Sequence, residues 1–303
     1  MGRDIPQTLD SDPRAAAIGI IGLGSMGAPM VLRLLHGSSP VFITGRTARP
    51  ALVEAGATWT ETPRELAARA GTVLSMLPDL PELEQALEGP DGLLADLGDG
   101  ELLLLVGSTS SATEVRALAA RLTTETHGRV RVVDCPVSGG VDGAEAGSLS
   151  IMLGGSTEDA ARAAALLAPC GRPVHLGPLG AGEVAKACNQ LVVAATITAL
   201  GEATVLADRS GLDLEALWSL LGGGYAGSNL LQSRQDKLVS GDDSPSGMAR
   251  YMVKDLCFAA DIAEATGTSP ALLPALRGFF DEIVERGYGE RDISVSRRVV
   301  AER

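Results

Sequence analysis

The chain has 303 residues, of which 45% are hydrophobic and 21% are charged, and its formal net charge at pH 7 is -13. This length is enough for two domains with a sizeable core. The acidic balance argues against nucleic acid or an anionic membrane surface as a partner, because both require a basic protein surface.

Cysteine and histidine residues are few and scattered along the chain. The four cysteines form no C-x-x-C pair, and the three histidines have no metal-ligand spacing. We therefore expect no metal ion, reduced thiols and a cytoplasmic location. The longest apolar run, residues 191–207, is interrupted by Gly201 and Glu202, so the sequence predicts no transmembrane segment.

The first half of the chain alternates between strand and helix patterns. Residues 1–15 are polar and contain two prolines, which predicts a flexible extension and no signal peptide. Apolar strand patterns then recur at residues 18–21, 41–44, 57–60, 73–77, 102–106, 130–134, 149–153 and 173–176, with helical patterns between most of them. This alternation predicts an α/β fold for residues 16–179, a doubly wound parallel sheet of the Rossmann type.

A glycine motif directly follows the first strand. Gly22, Gly24 and Gly27 have G-x-G-x-x-G spacing, with Leu23, Ser25 and Met26 between them. Placed between a strand and a helix, this motif predicts a dinucleotide site, where the pyrophosphate meets the helix N-terminus. The alternative is a glycine-rich tight turn that binds nothing.

The end of the second strand bears on the choice of cofactor. An NAD site usually has an acidic residue there to bind the ribose 2'-hydroxyl. This chain has Gly45, Arg46 and Thr47 instead, and no carboxylate. Arg46 and Thr47 can bind a 2'-phosphate, which favours NADP, although NAD stays possible and Arg46 can also be an ordinary surface arginine.

A serine and two glycines follow the strand at residues 130–134. Ser138, Gly139 and Gly140 would expose consecutive backbone N–H groups at the carboxyl end of the sheet. Such a nest binds carboxylates, so the segment is a candidate substrate site, and a plain glycine-rich turn is the alternative.

The pattern changes after the breaker-rich residues 177–180. Helical patterns cover residues 181–210, 213–221, 228–239, 248–267 and 271–286, and no strand pattern occurs among them. We therefore predict an all-helical domain over residues 180–303. Some of these helices are too apolar for a small bundle to bury, so we expect them to pack against a partner subunit.

Lys186 and Asn189 lie three residues apart at the start of the first of these helices, and hence on one face. That face continues into the apolar residues Val193 and Ile197. An ammonium group on a buried face is costly unless it has a partner, which indicates a functional site. The alternative is a lysine that extends to solvent from a helix start.

Taken together, these segments resemble the beta-hydroxyacid dehydrogenase family. The resemblance runs from Ala17 to Val300 and includes the motif at 22–27, MLP at 76–78, ST at 108–109, PVSGG at 136–140, SIMLGG at 150–155, residues 182–190 and KDL at 254–256. Residues 189–194 and 223–228 are most similar to the tartronate semialdehyde reductase branch.

The resemblance implies a Rossmann domain, a helical domain and assembly as a dimer or tetramer. By position it implies that Lys186 is the catalytic lysine and that Asn189, with Ser138, Gly139 and Gly140, binds the substrate. It also implies that a second set of residues contacts the cofactor, namely Leu77, Pro78, Thr109 and Lys254.

The implied reaction interconverts a small 3-hydroxy acid and its semialdehyde by hydride transfer, with NADP as cofactor and Lys186 as general acid and base. Two alternatives stay open. Imine reductases are similar overall but usually carry Asp or Tyr at the position of Lys186. A non-catalytic NADP-binding interaction module is the other.

Four positions depart from the family pattern. Val106 replaces a frequent Asp, and Gln190 replaces a frequent Asn. Gly247 stands where an aromatic residue is common, and Cys135 stands where Ala is usual. We expect Gly247 and Cys135 to lie near the active site and to alter the choice of substrate, so the particular substrate stays open.

Overall fold

The computed structural model describes residues 13–97 and 100–303. The chain forms two compact units that meet in sequence between Glu183 and Val184. Of the predicted N-terminal extension, residues 1–12 lie outside the described part. Pro13–Ala16 form a short 3-10 helix, and the carbonyl oxygen of Arg14 accepts a 2.8 Å hydrogen bond from Gly71.

The described part of the first unit, residues 13–97 and 100–183, forms nine strands in one sheet. They are β1 (Ile18–Ile21), β2 (Val41–Thr44), β3 (Thr58–Trp59), β4 (Thr72–Ser75), β5 (Leu102–Val106), β6 (Val130–Asp134), β7 (Val137–Ser138), β8 (Leu149–Gly154) and β9 (Gly171–Gly177). The order β3-β2-β1-β4-β5-β6 is that of the dinucleotide-binding fold, with the change of direction between β1 and β4. The predicted doubly wound α/β fold is confirmed.

Helices cover both faces of this sheet. They are α1 (Gly27–Leu34), α2 (Pro50–Glu54), α3 (Pro63–Arg69), α4 (Leu80–Leu87), α5 (Ala112–Glu125), α6 (Gly140–Ala146) and α7 (Thr157–Leu167). Two apolar cores result, one around Ile20 and Leu105 and the other around Leu104 and Val115. Every residue of β5 is buried, as its uninterrupted apolar run predicts for a sheet covered on both faces.

The far end of the sheet differs from the prediction, because it is not wholly parallel. β8 pairs antiparallel with β7 and, through Gly154 and Asp134, with β6, and it pairs parallel with β9. The connection between β7 and β8, residues 139–148, is shorter than the dozen or more residues that a parallel crossover requires. The sequence analysis also missed α6. This helix has seven residues, two of which are glycines, so it is too short and too poor in apolar residues to show a helical period.

The second unit is helical, as predicted. Its helices are α8 (Ala181–Arg209, which begins in the first unit), α9 (Leu214–Gly222), α10 (Asn229–Ser240), α11 (Arg250–Thr266), α12 (Leu273–Glu285) and α13 (Ser296–Ala301). Trp218, Phe280 and Leu256 lie in its apolar core. The last helix, α13, and the 3-10 turn before it were not predicted, because they are too short to show a period.

Helix α8 is long and apolar enough to cross a membrane by length and composition alone. Gly201 and Glu202 interrupt the apolar run of residues 191–207 but not the helix, which the sequence predicts over residues 181–210. Gly201 continues the helix because its missing side chain leaves room for Ser296, and Glu202 lies on the exposed side. The same length and composition also occur in core helices of soluble proteins.

Candidate active site

The glycine motif forms a tight turn at the carboxyl end of β1. Gly22 has φ of +96°, and a Cβ at this position would lie 2.5 Å from the carbonyl carbon of Met76. Met76 follows β4, and its N–H donates a 2.8 Å hydrogen bond to Ile21. Only glycine fits at position 22, because both the backbone conformation and the contact with the neighbouring loop exclude a side chain.

The other two glycines of the motif have different surroundings. A Cβ on Gly27 would collide with the carbonyl oxygen of Gly22, so Gly27 allows α1 to pack closely on the turn. Gly24 is exposed, and a Cβ there would meet nothing within 4 Å. These are the three roles of a dinucleotide motif: a tight turn, an open approach for the pyrophosphate and close helix packing. The residues present fit a dinucleotide.

The residues between the glycines are divided between core and surface. The Leu23 side chain is buried in the apolar core and Met26 packs against that core, whereas Ser25 is exposed. Any contact of Leu23 with a cofactor is thus limited to its backbone.

The predicted cofactor loops leave the sheet side by side. Ser75 at the end of β4 pairs in parallel register with Ile21 of β1 on one side and with Val106 of β5 on the other. The loops that follow these residues carry the glycine motif, then Leu77 and Pro78, then Thr109. The structure brings these segments to one edge of the sheet; their contact with a cofactor remains a prediction.

Arg46 and Thr47 follow β2 at the same edge, because Thr44 pairs with Ile21. Both side chains are exposed. Arg49 is a second exposed guanidinium three residues further on, and the sequence analysis overlooked it. The loop therefore offers two cations and no carboxylate.

The segment Ser138–Gly140 also leaves this edge, since β6 pairs with β5 and the N–H of Cys135 donates a 2.7 Å hydrogen bond to Val106. Gly139 and Gly140 have φ of +137° and +64°, so both need glycine. A Cβ on Gly140 would meet nothing within 4 Å, which leaves the backbone open to approach. The predicted carboxylate site has a suitable backbone; the binding itself remains a prediction.

A buried carboxylate holds the start of α8, and the sequence analysis missed it. Asp134, at the end of β6, is fully buried and accepts hydrogen bonds from the N–H groups of Gly180 at 2.7 Å and Glu183 at 2.8 Å. Glu183 in turn accepts a 3.0 Å bond from the N–H of Ser110. Burial raises the pKa of Asp134 above its usual value, and these backbone donors oppose that rise. The carboxylate replaces an N-terminal cap from the helix itself.

Lys186 lies three residues after Glu183 and is 7% exposed. Its Nζ donates a 3.0 Å hydrogen bond to Oε1 of Gln190, one helical turn further on. Nδ2 of Asn189 donates to the same oxygen at 2.9 Å. The structure thus brings Lys186 and Asn189 together and buries the lysine, as the periodicity of the helix indicates.

Asp255 of α11 completes this cluster. Nε2 of Gln190 donates a 2.6 Å hydrogen bond to Oδ2 of Asp255, which is almost fully buried. Burial raises the pKa of Asp255, while the charge of Lys186, the bond from Gln190 and the charge of Lys254 oppose the rise. The sequence analysis did not assign a role to Asp255 or Gln190, although Asp255 stands in the same KDL motif as Lys254.

Lys254 lies on α11 with its Nζ 5.8 Å from the centre of the Phe258 ring. That distance is within the range of a cation–π contact. The contact between Lys254 and the cofactor that the resemblance implies remains a prediction.

The structure bears on one of the two expectations about substrate choice, that for Cys135, while the effect of Gly247 stays a prediction. Cys135 is 1% exposed in the apolar core, and burial raises its pKa well above the usual value, so its side chain is a core group and not part of the site. A Cβ on Gly247 would lie 3.6 Å from Oδ2 of Asp292 and 3.7 Å from Nη2 of Arg234. Val106 is likewise a core residue.

Among residues 13–97 and 100–303 no group of three His, Cys, Asp or Glu side chains is arranged to hold a metal.

Comparison with known proteins gives the family. Residues 17–180 match the NAD binding domain of 6-phosphogluconate dehydrogenase, and residues 180–300 match the NAD-binding domain of NADP-dependent 3-hydroxyisobutyrate dehydrogenase.

The chain is 35% identical to an NAD-dependent L-serine dehydrogenase of Pseudomonas aeruginosa, over 93% of this chain and 97% of that protein. It is 31% identical to the 2-hydroxy-3-oxopropionate reductase of Escherichia coli, over 91% and 94%. Among solved structures it is similar to the 3-hydroxyisobutyrate dehydrogenase of Mycobacterium tuberculosis with L-serine, with a TM-score of 0.78, 30% identity and coverage of 94% and 99%.

The chain therefore belongs to the beta-hydroxyacid dehydrogenase family, as its motifs predict. It is an NAD(P)-dependent oxidoreductase of the class that acts on hydroxy acids.

Proposed function

We propose that this protein interconverts a small 3-hydroxy acid and its semialdehyde with NADP, and that Lys186 is its general acid and base. The observation that carries the proposal is the buried Lys186 ammonium, held by Gln190 on a helix whose first turn is fixed by Asp134. Burial of a charged amine costs free energy. Such a group is therefore more often found at a functional site, and proton transfer is a function that a buried lysine can perform.

The cofactor would lie along the sheet edge at β1, β2, β4 and β5. The open face of Gly24 would receive the pyrophosphate, and Arg46 with Thr47 would bind the 2'-phosphate. The loops with Leu77, Pro78 and Thr109 would contact the remainder, and Lys254 its nicotinamide end. The bound nicotinamide supplies the hydride for reduction and accepts it in oxidation.

NADP is favoured over NAD by the chemistry of the β2 loop. A guanidinium pairs with a phosphate, whereas the ribose hydroxyl of NAD is normally bound by a carboxylate, and residues 45–49 include none. The Pseudomonas relative is named as NAD-dependent. A measurement with both cofactors is therefore part of the test below.

The substrate carboxylate would bind to the backbone N–H groups of Ser138, Gly139 and Gly140, with Asn189 orienting the rest of the molecule. Fixing the carboxylate holds the reacting carbon at one position, which lowers the entropic part of the barrier. In reduction, Nζ of Lys186 would donate a proton to the carbonyl oxygen as negative charge develops there. In oxidation, the neutral amine would take the hydroxyl proton back.

L-serine is a candidate substrate, because it is itself a 3-hydroxy acid. The Pseudomonas relative is named for it and the Mycobacterium structure contains it. The 3-hydroxyisobutyrate and 2-hydroxy-3-oxopropionate of other relatives share its carboxylate and its reacting carbon at position 3.

The test is a panel of L-serine, 3-hydroxyisobutyrate, 2-hydroxy-3-oxopropionate, succinic semialdehyde and a cyclic imine, each with NADP(H) and NAD(H). We expect turnover of at least one 3-hydroxy acid pair, faster with NADP(H), and a much higher KM for the methyl ester of the same acid. Turnover confined to the imine would instead support an imine reductase. NADPH binding without turnover of any carbonyl would support a non-catalytic module.

We further propose a homodimer or homotetramer, located in the cytoplasm, without a membrane or nucleic acid partner. Val192 and Leu206 on α8 are large apolar residues that are more than half exposed in a single copy, which supports burial against a second subunit. Light scattering during size-exclusion chromatography tests this, and a monomer at micromolar concentration would contradict it.

A further inference from the structure

Gln190 is the central group of the buried polar cluster in the second unit. It lies four residues after Lys186 on α8, so the two side chains share one face of the helix. Its Oε1 receives Lys186 and Asn189, at 3.0 Å and 2.9 Å, and its Nε2 donates to Asp255 at 2.6 Å. The amide thus links the lysine on one helix to a buried carboxylate on another.

The two ends of this amide are not interchangeable. A carboxamide has one oxygen that only accepts and one nitrogen that only donates. If the amide were reversed, its NH2 group would face the Lys186 and Asn189 donors, and its oxygen would face the Asp255 carboxylate. Asp255 therefore selects the orientation in which an acceptor faces the lysine.

The acceptor that faces Lys186 is also uncharged. A carboxylate at position 190 would form an ion pair and favour the protonated lysine, whereas an amide oxygen accepts a bond from either the ammonium or the neutral amine. The charged groups around this cluster include Asp255 and Lys254 on α11, whose charges interact, and Glu183 lies one turn earlier on α8, where its carboxylate accepts a bond from the N–H of Ser110. Asp255 meets Nε2 of the Gln190 amide, and Lys186 meets Oε1 at its other end.

We propose that Gln190 is a positioning residue for proton transfer: oriented by Asp255, its amide fixes the Nζ of Lys186 without imposing an ion pair on it. This inference rests on the proposed function, in which Lys186 is the general acid and base. Gln190 then acts on the rate of the chemical step through Lys186, and not on cofactor binding.

Three substitutions separate this role from a structural one. Gln190→Leu keeps the size of the side chain and removes both polar ends, Gln190→Glu keeps the size and adds a charge, and Asp255→Leu removes the group that orients the amide. Gln232→Leu, at an exposed position of α10, is the matched control. Circular dichroism and the NADPH dissociation constant, measured for every variant, report on the fold.

For Gln190→Leu we expect kcat to fall about 10- to 100-fold, as a misplaced catalytic group does. The dissociation constant of NADPH should stay within about twofold, because the glycine-loop contacts are unchanged, whereas the KM can rise because Asn189 loses the same acceptor. Asp255→Leu should lower kcat in the same direction, and the double variant should be no slower than Gln190→Leu alone, because both changes remove one unit. The Gln232→Leu control should match the wild type.

Gln190→Glu provides a readout that a structural role would not alter. The new carboxylate stabilises the Lys186 ammonium, so the acidic limb of the pH–rate profile for oxidation should move to higher pH. If Gln190→Leu keeps the wild-type kcat, or if Gln190→Glu keeps the wild-type pH profile, while Lys186→Ala is inactive, the role of Gln190 is overturned and the proposed function stands. If Lys186→Ala is fully active, both are overturned.

Discussion

The backbone N–H of Glu183 donates a 2.8 Å hydrogen bond to the carboxylate of Asp134, which lies 49 residues earlier in the chain. The second oxygen of the same carboxylate accepts the N–H of Gly180 at 2.7 Å. The first turn of α8, which leads to Lys186, is therefore capped by the end of a strand and not by a residue next to it in sequence. The space around the carboxylate is tight, since a Cβ on Gly154 or on Gly182 would collide with it or with its partners.

Replacement of Asp134 by Asn should destabilise the first unit. The amide would have one oxygen for two N–H donors, and its own NH2 would face the second, so one buried donor loses its partner at a cost of about 1–3 kcal/mol. Urea denaturation followed by tryptophan fluorescence measures this loss of stability when both proteins also carry Trp218→Phe. Trp59 is then the sole tryptophan, and it lies in the first unit.

Asp213→Asn is the control for this prediction. Asp213 caps α9 in the ordinary way, through Ala216 at 3.1 Å on the surface, and Asn is as good a cap as Asp there. Equal effects of the two substitutions would contradict a special requirement for two carboxylate oxygens at position 134.

The difference between these two caps marks a limit of sequence analysis. The cap of α9 is visible in the sequence, because Asp213 directly precedes the helical pattern. Asp134 is visible only as the last residue of an apolar strand, and its partner lies in a distant segment. Local periodicity therefore predicted that α8 begins near residue 181 but not what holds its first turn.

Gly24→Ala and Gly27→Ala should separate cofactor binding from folding. Alanine at 24 meets nothing within 4 Å, so stability should change by less than about 0.5 kcal/mol, while NADPH binding weakens because the methyl group occupies the pyrophosphate approach. Alanine at 27 collides with Gly22 and should destabilise the unit itself, by about 1–3 kcal/mol. Thermal unfolding and NADPH fluorescence titration measure the two effects. Unchanged NADPH affinity in Gly24→Ala would contradict the assignment of the loop.

Arg46→Ala should change the choice of cofactor. Loss of a charge-assisted bond to the 2'-phosphate costs about 1.5–3 kcal/mol, which weakens NADPH binding roughly 10- to 150-fold and leaves NADH binding nearly unchanged. Arg49→Ala, in the same loop, shows how far the second exposed guanidinium contributes. Titration with 2'-AMP and 5'-AMP isolates the phosphate contact. An equal loss for both nucleotides would mean that Arg46 does not read the 2'-phosphate.

The buried carboxyl of Asp255 should make stability depend on pH. Its pKa is raised in the folded protein, mainly by burial, so between the ordinary carboxyl pKa and the raised value the folded state binds the proton and the unfolded state does not. The contribution of the protonated Asp255 carboxyl to the free energy of unfolding is fully present below the ordinary carboxyl pKa. It is lost as the pH rises through the raised pKa of the folded protein. The loss amounts to about 1.4 kcal/mol for each unit of difference between the two pKa values.

Asp255→Asn removes this titration and is the comparison for the measurement. In a Trp59→Phe background, Trp218 reports on the second unit. The stability of the wild type minus that of Asp255→Asn should fall as the pH rises through this window. A difference that stays constant or grows would contradict the raised pKa.

The site itself was only partly accessible to sequence analysis. Gly22, Gly24 and Gly27 were recognisable because one short segment carries the whole turn, and Lys186 with Asn189 because one helix face carries both. The link between Gln190 and Asp255 was not recognisable, because the two residues lie 65 positions apart on different helices. Cys135 was placed near the substrate on family position alone, whereas the burial of its side chain puts it in the core.

In the proposed reaction, Lys186 transfers the proton that accompanies hydride transfer. Single-turnover oxidation of NADPH by the best carbonyl of the substrate panel tests it most directly, with Lys186→Ala compared against Lys237→Ala, a lysine of α10 whose ammonium bonds to Asp242 and Ser244 in the loop after that helix. We expect Lys186→Ala to keep its NADPH affinity and to lose about 100- to 10,000-fold in rate, while Lys237→Ala stays within about twofold of the wild type. A Lys186→Ala rate near that of the wild type would contradict it.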